Sequence, residues 1–414
     1  MTRGLMKTAS GIAIAAAAGL FASNAMAADL GVGGNCCADL EERVAELEAT
    51  AARKGNRVVS LTVYGRVVQG ILWHDDEDGY REGKATIRDD SGNPTLFGLR
   101  GEAQISPDLT AGYLFEFGVS ADDGTSGVTI RHSNAYLDSQ SLGRITIGQA
   151  SQVTDGLYEI NLANTVLTPG QLNEEKSFLN DALTSPWAFL FDGDRRQGVY
   201  YRSPTLAGFV FSAGYSHDSP ETAPAYGRED VWEVALRYAG EFNGVRVAAG
   251  VGYRHEDYVH DGAFTSDGEA DVFLGSASIM HMPTGLFVSG DLAKVEWDGG
   301  DADGAEQDGF WVMAGIEKNF FGPGTTTLFA EYSESNTDGL VGCTAVDDKG
   351  DCTGSWKSVG DGSFWGLGIV QRIDAAATDL FLKYRHVEVD SDYAEATESN
   401  DSANVVIGGM RIQF

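Results

Sequence analysis

The sequence is short of positive charge, of cysteine and of long apolar runs. Lys and Arg number 29 against 61 Asp and Glu. That balance excludes nucleic acid as a partner, because phosphate binding needs clustered cations. It fits a protein with heavily solvated loops. After residue 28 no apolar stretch approaches the ~20 residues of a membrane helix, so the exported chain carries no transmembrane helix. Only four cysteines occur, with no C-x-x-C spacing, which argues against a zinc site. The seven histidines are scattered, there is no H-E-x-x-H, and no Ser, His and acid fall in one neighbourhood. An enzyme is therefore the weakest reading, and no catalytic residue or resident metal is expected.

What is present begins with a targeting segment. Arg3 and Lys7 precede the apolar run "GIAIAAAAGLFA", followed by Ala25, Met26 and Ala27. This is the three-part pattern of a secretory signal over residues 1–27, cut before Ala28. Cleavage removes Arg3 and Lys7, and the formal charge moves from -32 to -34. Residues 28–57 read as a periplasmic segment. Within it Leu40, Val44, Leu47 and Ala51 make one apolar seam over a short coiled-coil-like helix, 38–51, ended by "ARKGN". Two heptads are marginal alone, so this helix needs a partner. Cys36 and Cys37 are adjacent, which strains a mutual bridge and points to inter-subunit bonding or free thiols. Cys343 and Cys352 flank a polar stretch and are expected to staple one loop as a disulfide in an oxidising compartment.

From Val58 onward the apolar period is two. Sixteen segments can be written as strands, most of them near the ~9 to 11 residues of a tilted membrane strand. Their connections alternate. "SPDL", "SQSLG", "PTLA", "GEFNG", "MPTG", "FGPG" and "DAA" are tight turns, whereas "HDDEDGYREGKATIRDDSGNP" and "NTDGLVGCTAVDDKGDCTGSWKSVGD" are long and acidic. Short turns at one end and long loops at the other are the pattern of a transmembrane barrel, rarely that of a soluble sandwich. The expected fold is thus all-β: a sixteen-stranded antiparallel barrel over residues 58–414, set in the outer membrane of a Gram-negative bacterium.

The alternation assigns faces. In "LFGLRGEAQIS", Phe97, Leu99, Ala103 and Ile105 share one face, and Arg100, Glu102 and Gln104 the other. In "DLFLKYRH", Leu380, Leu382 and Tyr384 oppose Lys383 and Arg385. In a membrane barrel the apolar face meets lipid and the polar face meets water inside. Tyr238, Phe242, Phe320, Phe321 and Phe414 cluster near the short turns, where an interfacial girdle belongs. Phe414 then ends the sixteenth strand at the periplasmic girdle, and that strand must pair with the first to remove the sheet edge. One strand resists: in "TIRHSNAYLDS", an inward Arg131 puts His132 and Asn134 outward. Either the register is different or another subunit covers that wall.

One long connection, residues 150–195, is rich in Leu, Phe, Trp and Val and poorly suited to water. Folded into the lumen, it would bury these residues against the wall and narrow the channel; the other reading is an external lid. It carries Asp155, Glu159, Glu174, Glu175, Asp181, Asp192 and Asp194. The expected inward faces carry Arg66, Arg100, Arg131, Arg144, Arg196 and Arg202. Acids on the loop opposite arginines on the wall would set a transverse field that screens solutes by sign, size and dipole.

Taken together the chain resembles the alphaproteobacterial outer-membrane general porins. The likeness rests on "CCADLEERVAELEATAARKGNRVVSLTVYGRV", "FDGDRRQGVYYRSPTLAGF", "WEVALRYAGEFNGVRVAAGVGY" and the closing "GMRIQF". It implies a homotrimer, passive diffusion of small hydrophilic solutes and ions past a constricting third loop, and a Phe414 read by the barrel-assembly machinery. "VYGRV", "TIRHSNAYL" and "VYYRSPTLAGF" look like the strands that carry constriction cations in enterobacterial porins, which points to Arg66, Arg131 and Arg202. Leu96 stands where those porins have a further cation.

A general diffusion channel is the first functional reading. A substrate-selective channel is the second, and an envelope structural protein tethered to peptidoglycan through helix 38–51 is the third. The acidic outer loops suit loosely bound Ca²⁺ or Mg²⁺ bridging lipopolysaccharide, without ligand spacing that defines a site.

Overall fold

The computed structural model describes residues 59–76, 85–88, 94–122, 125–166, 193–217, 228–258, 267–299, 303–346, 352–391 and 399–414. The signal segment, the 28–57 segment with its helix and Cys36 and Cys37, and Glu174, Glu175, Asp181 and Asp192 lie outside these residues.

Among the described residues every strand belongs to one antiparallel sheet. The first group is β1 (Thr62–Asp76), β2 (Ala85–Arg88), β3 (Leu96–Gln104), β4 (Leu109–Asp122), β5 (Thr125–Ser139) and β6 (Gly143–Ser151). Next come β7 (Arg195–Arg202), β8 (Phe209–His217), β9 (Arg228–Phe242), β10 (Val245–Tyr258), β11 (Gly268–His281) and β12 (Leu286–Asp298). The last are β13 (Glu306–Lys318), β14 (Thr326–Val346), β15 (Cys352–Ile373), β16 (Thr378–Ser391) and β17 (Ser399–Gln413). β2 and β3 share one place in the wall, since β1 pairs with β2 through Gly70–Trp73 and with β3 through Thr62–Arg66. The seventeen strands therefore make a sixteen-place cylinder.

The cylinder closes because β1 pairs with β17 from Arg66↔Gln413 to Asp76↔Ala403. The seam removes the free edges that β1 and β17 would otherwise present, which is the condition for strands to cross a bilayer. At the seam Gly65 and Phe414 exchange backbone bonds of 2.9 and 3.0 Å. The Phe414 ring lies over Gly65, so a Cβ there would meet the ring at 2.6 Å and the Leu96 carbonyl at 2.7 Å.

The outward faces are apolar and exposed, as the alternation requires: Val63, Val67 and Ile71 on β1, Val288 and Leu292 on β12, Leu380 and Leu382 on β16. Phe242, Phe320, Phe321 and Phe414 are exposed at the short-turn end. A second aromatic band sits higher on the outer wall, with Trp232, Phe273, Phe310, Tyr332 and Trp365 all exposed. The sequence reading missed this band, because its members sit within the strands and are not bunched at turns.

Three expectations change. The inner face is not uniformly polar. Val68, Leu72, Phe364, Val387, Val389, Val405 and Ile407 form a buried cluster with Ala163 and Val166 of the long connection. The stretch expected as a long acidic loop after residue 335 is largely a hairpin, because β14 and β15 continue pairing up to Val346↔Cys352. In that ladder Cys343 lies opposite Ser355, three positions from Cys352. At ~3.4 Å per residue the offset is about 10 Å, beyond the ~7 Å Cα separation a disulfide tolerates. The register therefore does not support the bridge.

The third change resolves the β5 parity. Glu116 pairs with His132 and Phe117 with Ile130, leaving Arg131 as an extra residue in a β-bulge. A bulge shifts the alternation by one. Ile130 and Leu137 are both exposed, while Arg131, His132 and Asn134 all lie on the inner side, and Asn134 is buried. No covering subunit is needed to explain His132 and Asn134.

Two expected outcomes follow from the short-turn end. Gly65→Leu should lower the temperature at which the folded gel band converts to the unfolded one, since overpacking costs about 1–3 kcal/mol; adding Phe414→Ala should not restore it, because the Leu96 carbonyl contact persists. Between the β3–β4 and β5–β6 turns, Asp108 accepts from Ser139 Oγ at 2.8 Å and from Ser141 N and Oγ at 3.0 and 2.9 Å. Those bonds hold its carboxyl below the usual Asp range. Its contribution is therefore present at neutral pH and lost as pH falls through the lowered folded value. Asp108→Asn should lower heat stability at neutral pH and leave it nearly unchanged in strong acid, flattening the pH dependence between them.

Candidate pore constriction

After Ser151 the chain leaves the wall. The neck is closed by paired bonds: Gln152 N donates to the Asp194 carbonyl at 2.8 Å, and Asp194 N to Gln152 Oε1 at 2.7 Å. Two tight turns follow, with Gly156 at φ +74, a left-handed conformation that glycine adopts without strain.

From there the segment is tied to one strand after another. Glu233 on β9 accepts Val153 N at 2.7 Å, Thr154 N at 2.9 Å and Thr154 Oγ1 at 2.7 Å. Arg237 donates to the carbonyls of Val153 and Asp155 at 2.8 and 2.6 Å, and Arg254 on β10 to Thr154 Oγ1 at 3.1 Å. On β11, Ser276 Oγ donates to the Leu157 carbonyl and Ser278 Oγ accepts Leu162 N at 3.0 Å. Ser289 on β12 donates to Asn161 Oδ1 at 3.0 Å. Asn164 N donates to Glu317 on β13 at 2.7 Å, and its Nδ2 to Asp379 on β16 at 2.8 Å. Arg411 on β17 binds both Asn164 Oδ1 at 2.9 Å and Asp379 at 2.8 Å.

Partners spread from β9 round to β17 can be reached only from inside the cylinder. Glu233 is mid-wall, whereas Asp379 and Arg411 lie within three residues of the short-turn end of their strands. The segment therefore slants down the lumen. Its apolar side chains are buried against inward faces: Val153, Leu157 and Tyr158 with Ala235, Val272, Leu274 and Val295. Gly250 and Gly252 on β10 make room, since a Cβ at either would strike Leu157.

The arginines expected to form one wall separate into levels. Arg196 and Arg202 are six residues apart on β7, about 20 Å along a strand. Arg202 lies opposite Arg144 near the short-turn end, where Arg144 pairs with Asp138 and stacks over Tyr136 at 4.0 Å. Higher up, Glu116 accepts Arg131 Nε at 2.9 Å and the Tyr64 hydroxyl at 2.8 Å, and Arg100 stands over Tyr64 at 5.3 Å. Arg66 donates to the Pro94 carbonyl at 2.9 Å. Arg196 is buried.

Of the loop acids among the described residues, Asp155 is 3.7 Å from Arg195, Asp194 accepts Arg195 N at 2.7 Å, and Glu159 is half-buried. Arg195 was not among the expected cations. The wall also holds charges outside the expected constriction set. Arg385 binds Glu331 at 2.8 Å under the Phe364 ring, Arg254 binds Glu256 at 2.6 Å, and Arg372 lies 3.5 Å from Asp379. Parity could have found most of them: in "WEVALRY", Glu233 and Arg237 sit opposite Trp232, Val234 and Leu236.

A closed barrel with a lipid-suited exterior, crossed inside by a wall-anchored polar segment, is an outer-membrane channel and not an enzyme. The chain matches the Gram-negative porin family over residues 13–410, and it belongs to that family. No curated protein matches it. Among solved structures it is similar to the anion-selective porin from Comamonas acidovorans, with a TM-score of 0.57 and 16% identity, covering 86% of this chain and 100% of that one. The outer membrane channel DcaP of Acinetobacter baumannii gives 0.56 and 13%, covering 88% and 100%. OmpT of Vibrio cholerae, in a trimer form, gives 0.54 and 14%, covering 86% and 100%. At these identities the likeness concerns the fold.

Glu233→Ala should loosen the slanting segment. It strands two backbone N–H groups at about 1–3 kcal/mol each, so single-channel current noise and proteolysis within residues 150–195 should rise while the folded gel band persists. A channel as quiet and resistant as the parent would show that Glu233 does not hold the segment.

Proposed function

We propose that this porin is a general diffusion channel, assembled as a homotrimer, in which segment 150–195 constricts the lumen and charges on segment and wall set ion preference. The observation that carries this reading is the continuous tethering of residues 152–164 from β9 to β17, which keeps a polar strap inside the cylinder. A strap held at so many points has a defined height and aperture. Hydrated solutes pass by size, and ions feel the nearest unbalanced charges.

The constriction is mixed in sign. Arg131 and Arg195 have Glu116 and Asp155 within 2.9 and 3.7 Å, so neither sign dominates and passage of both cations and anions is expected. Phe414 as a recognition terminus for the assembly machinery, and contacts with lipopolysaccharide and peptidoglycan, belong to the same reading.

Planar-bilayer recording of the purified protein should give conductance steps in threes, and liposome swelling rates should fall smoothly with solute mass. Saturation by one solute would move the protein to the substrate-selective reading, and silence from refolded protein would end the channel reading. Reversal potentials across a KCl gradient place the constriction. Arg131→Ala should raise the cation-to-anion permeability ratio about threefold, the effect of one screened unit charge ~6 Å from the ion path. Glu116→Gln should move it the other way. Arg144→Ala, with Asp138 beside it at the lower rim, should change it least.

A further inference from the structure

On the outer wall, facing away from the lumen, one arrangement recurs. Tyr253 and His255 on β10 both bind Asp271 on β11, the hydroxyl at 2.6 Å and Nδ1 at 2.7 Å. Tyr384 and His386 on β16 bind Asn404 on β17 at 2.7 and 3.0 Å. In each case a Trp from the preceding strand packs on the His ring, Trp232 at 5.5 Å and Trp365 at 5.9 Å. Tyr215 and His217 share Asp230 in the same way. His255 stands ten residues beyond the start of β10, about 25 Å up a tilted strand and hence at the outer edge of the apolar band.

The β10 copy differs from the others in what meets the second ring nitrogen. His255 Nε2 faces Asp257 at 3.4 Å and Glu269 at 4.0 Å, and those two acids are cross-strand partners. All three ligand atoms lie within 4.8 Å of one another. Beside them is a cleft of about 330 Å³ lined also by Asp271, Glu296, Asp298 and Glu306. Lys294 answers only Glu296 and Glu306, at 2.6 and 3.1 Å. His386 Nε2, in contrast, has Glu388 at 3.1 Å and an amide at its Nδ1.

We propose that His255 Nε2, Asp257 and Glu269 form a divalent transition-metal site of the zinc class on the outer rim. Ligand atoms ~2.1 Å from a tetrahedral ion are about 3.4 Å apart, which is the spacing already present between His255 and Asp257 and near that to Glu269. Asp271 supplies the carboxylate that fixes the other ring nitrogen and leaves Nε2 as the ligand, the usual outer partner of a metal-binding His. Two carboxylates and a neutral imidazole balance a 2+ charge. With Glu269 exposed and Asp257 half-buried, the remaining coordination position opens outward, where a phosphate oxygen of the outer leaflet can complete it.

Zinc chloride is titrated calorimetrically into the chelator-stripped full-length porin in detergent, with Cys36, Cys37, Cys343 and Cys352 changed to Ser so that no thiolate contributes. One Zn²⁺ per chain with micromolar affinity is expected. His255→Ala should weaken binding at least tenfold, Asp271→Asn by about 10- to 100-fold, and His386→Ala should leave it unchanged. Conductance and the folded gel band, measured on each variant, report folding independently. Absence of stoichiometric uptake, retention of binding within twofold in a folded His255→Ala protein, or displacement by equimolar Mg²⁺, which prefers an all-oxygen shell, would overturn the site.

Discussion

The pairing of β1 with β17 is the contact on which the rest depends. Without it, two rows of backbone N–H and C=O groups would face lipid, each at a cost of several kcal/mol. With it, β1 and β17 each gain their second neighbour and the side chains are freed from any duty to bury the backbone. The outer face can then be apolar because its solvent is lipid, and the inner face can hold charges because its solvent is water. Gly65 and Phe414 sit at the seam, where the ring occupies the space a side chain on residue 65 would need.

Closure also creates the second constraint, an interior that must be furnished. The long connection after β6 supplies an apolar stripe for the inward valines and alanines of β9 to β12 and a polar edge for the serines and acids beside them. Glu233 alone satisfies two backbone donors and a hydroxyl. The strap is thus held by many modest bonds. Its position is set by the wall and not by its own secondary structure, which is why it can run as an irregular chain inside a membrane protein.

The strand content, the turn-and-loop asymmetry and the facing of most side chains were legible from period two. Leu380 and Leu382 face out, and Lys383 and Arg385 face in, as their alternation implied. The β5 bulge was not legible, because one inserted residue leaves no mark in composition and only the cross-strand register of Glu116 with His132 exposes it. The arginines were recognised as wall residues, but their heights were not. Arg196 and Arg202 share a face yet stand six residues apart, and Arg202 faces Arg144 of β6 across the ladder.

What the sequence determined by itself is the class of object: a two-residue period, repeated sixteen times with short turns at one end, admits a closed sheet with one greasy and one wet face. Only the tertiary structure decided which charges meet. Pairs such as Arg385 with Glu331, Asn164 with Asp379, and His255 with Asp271 join residues from separate strands or from the strap and the wall. The physical reason is that alternation is a property of each strand alone, whereas hydrogen-bond partnership depends on register, tilt and closure, which are settled by all the strands together.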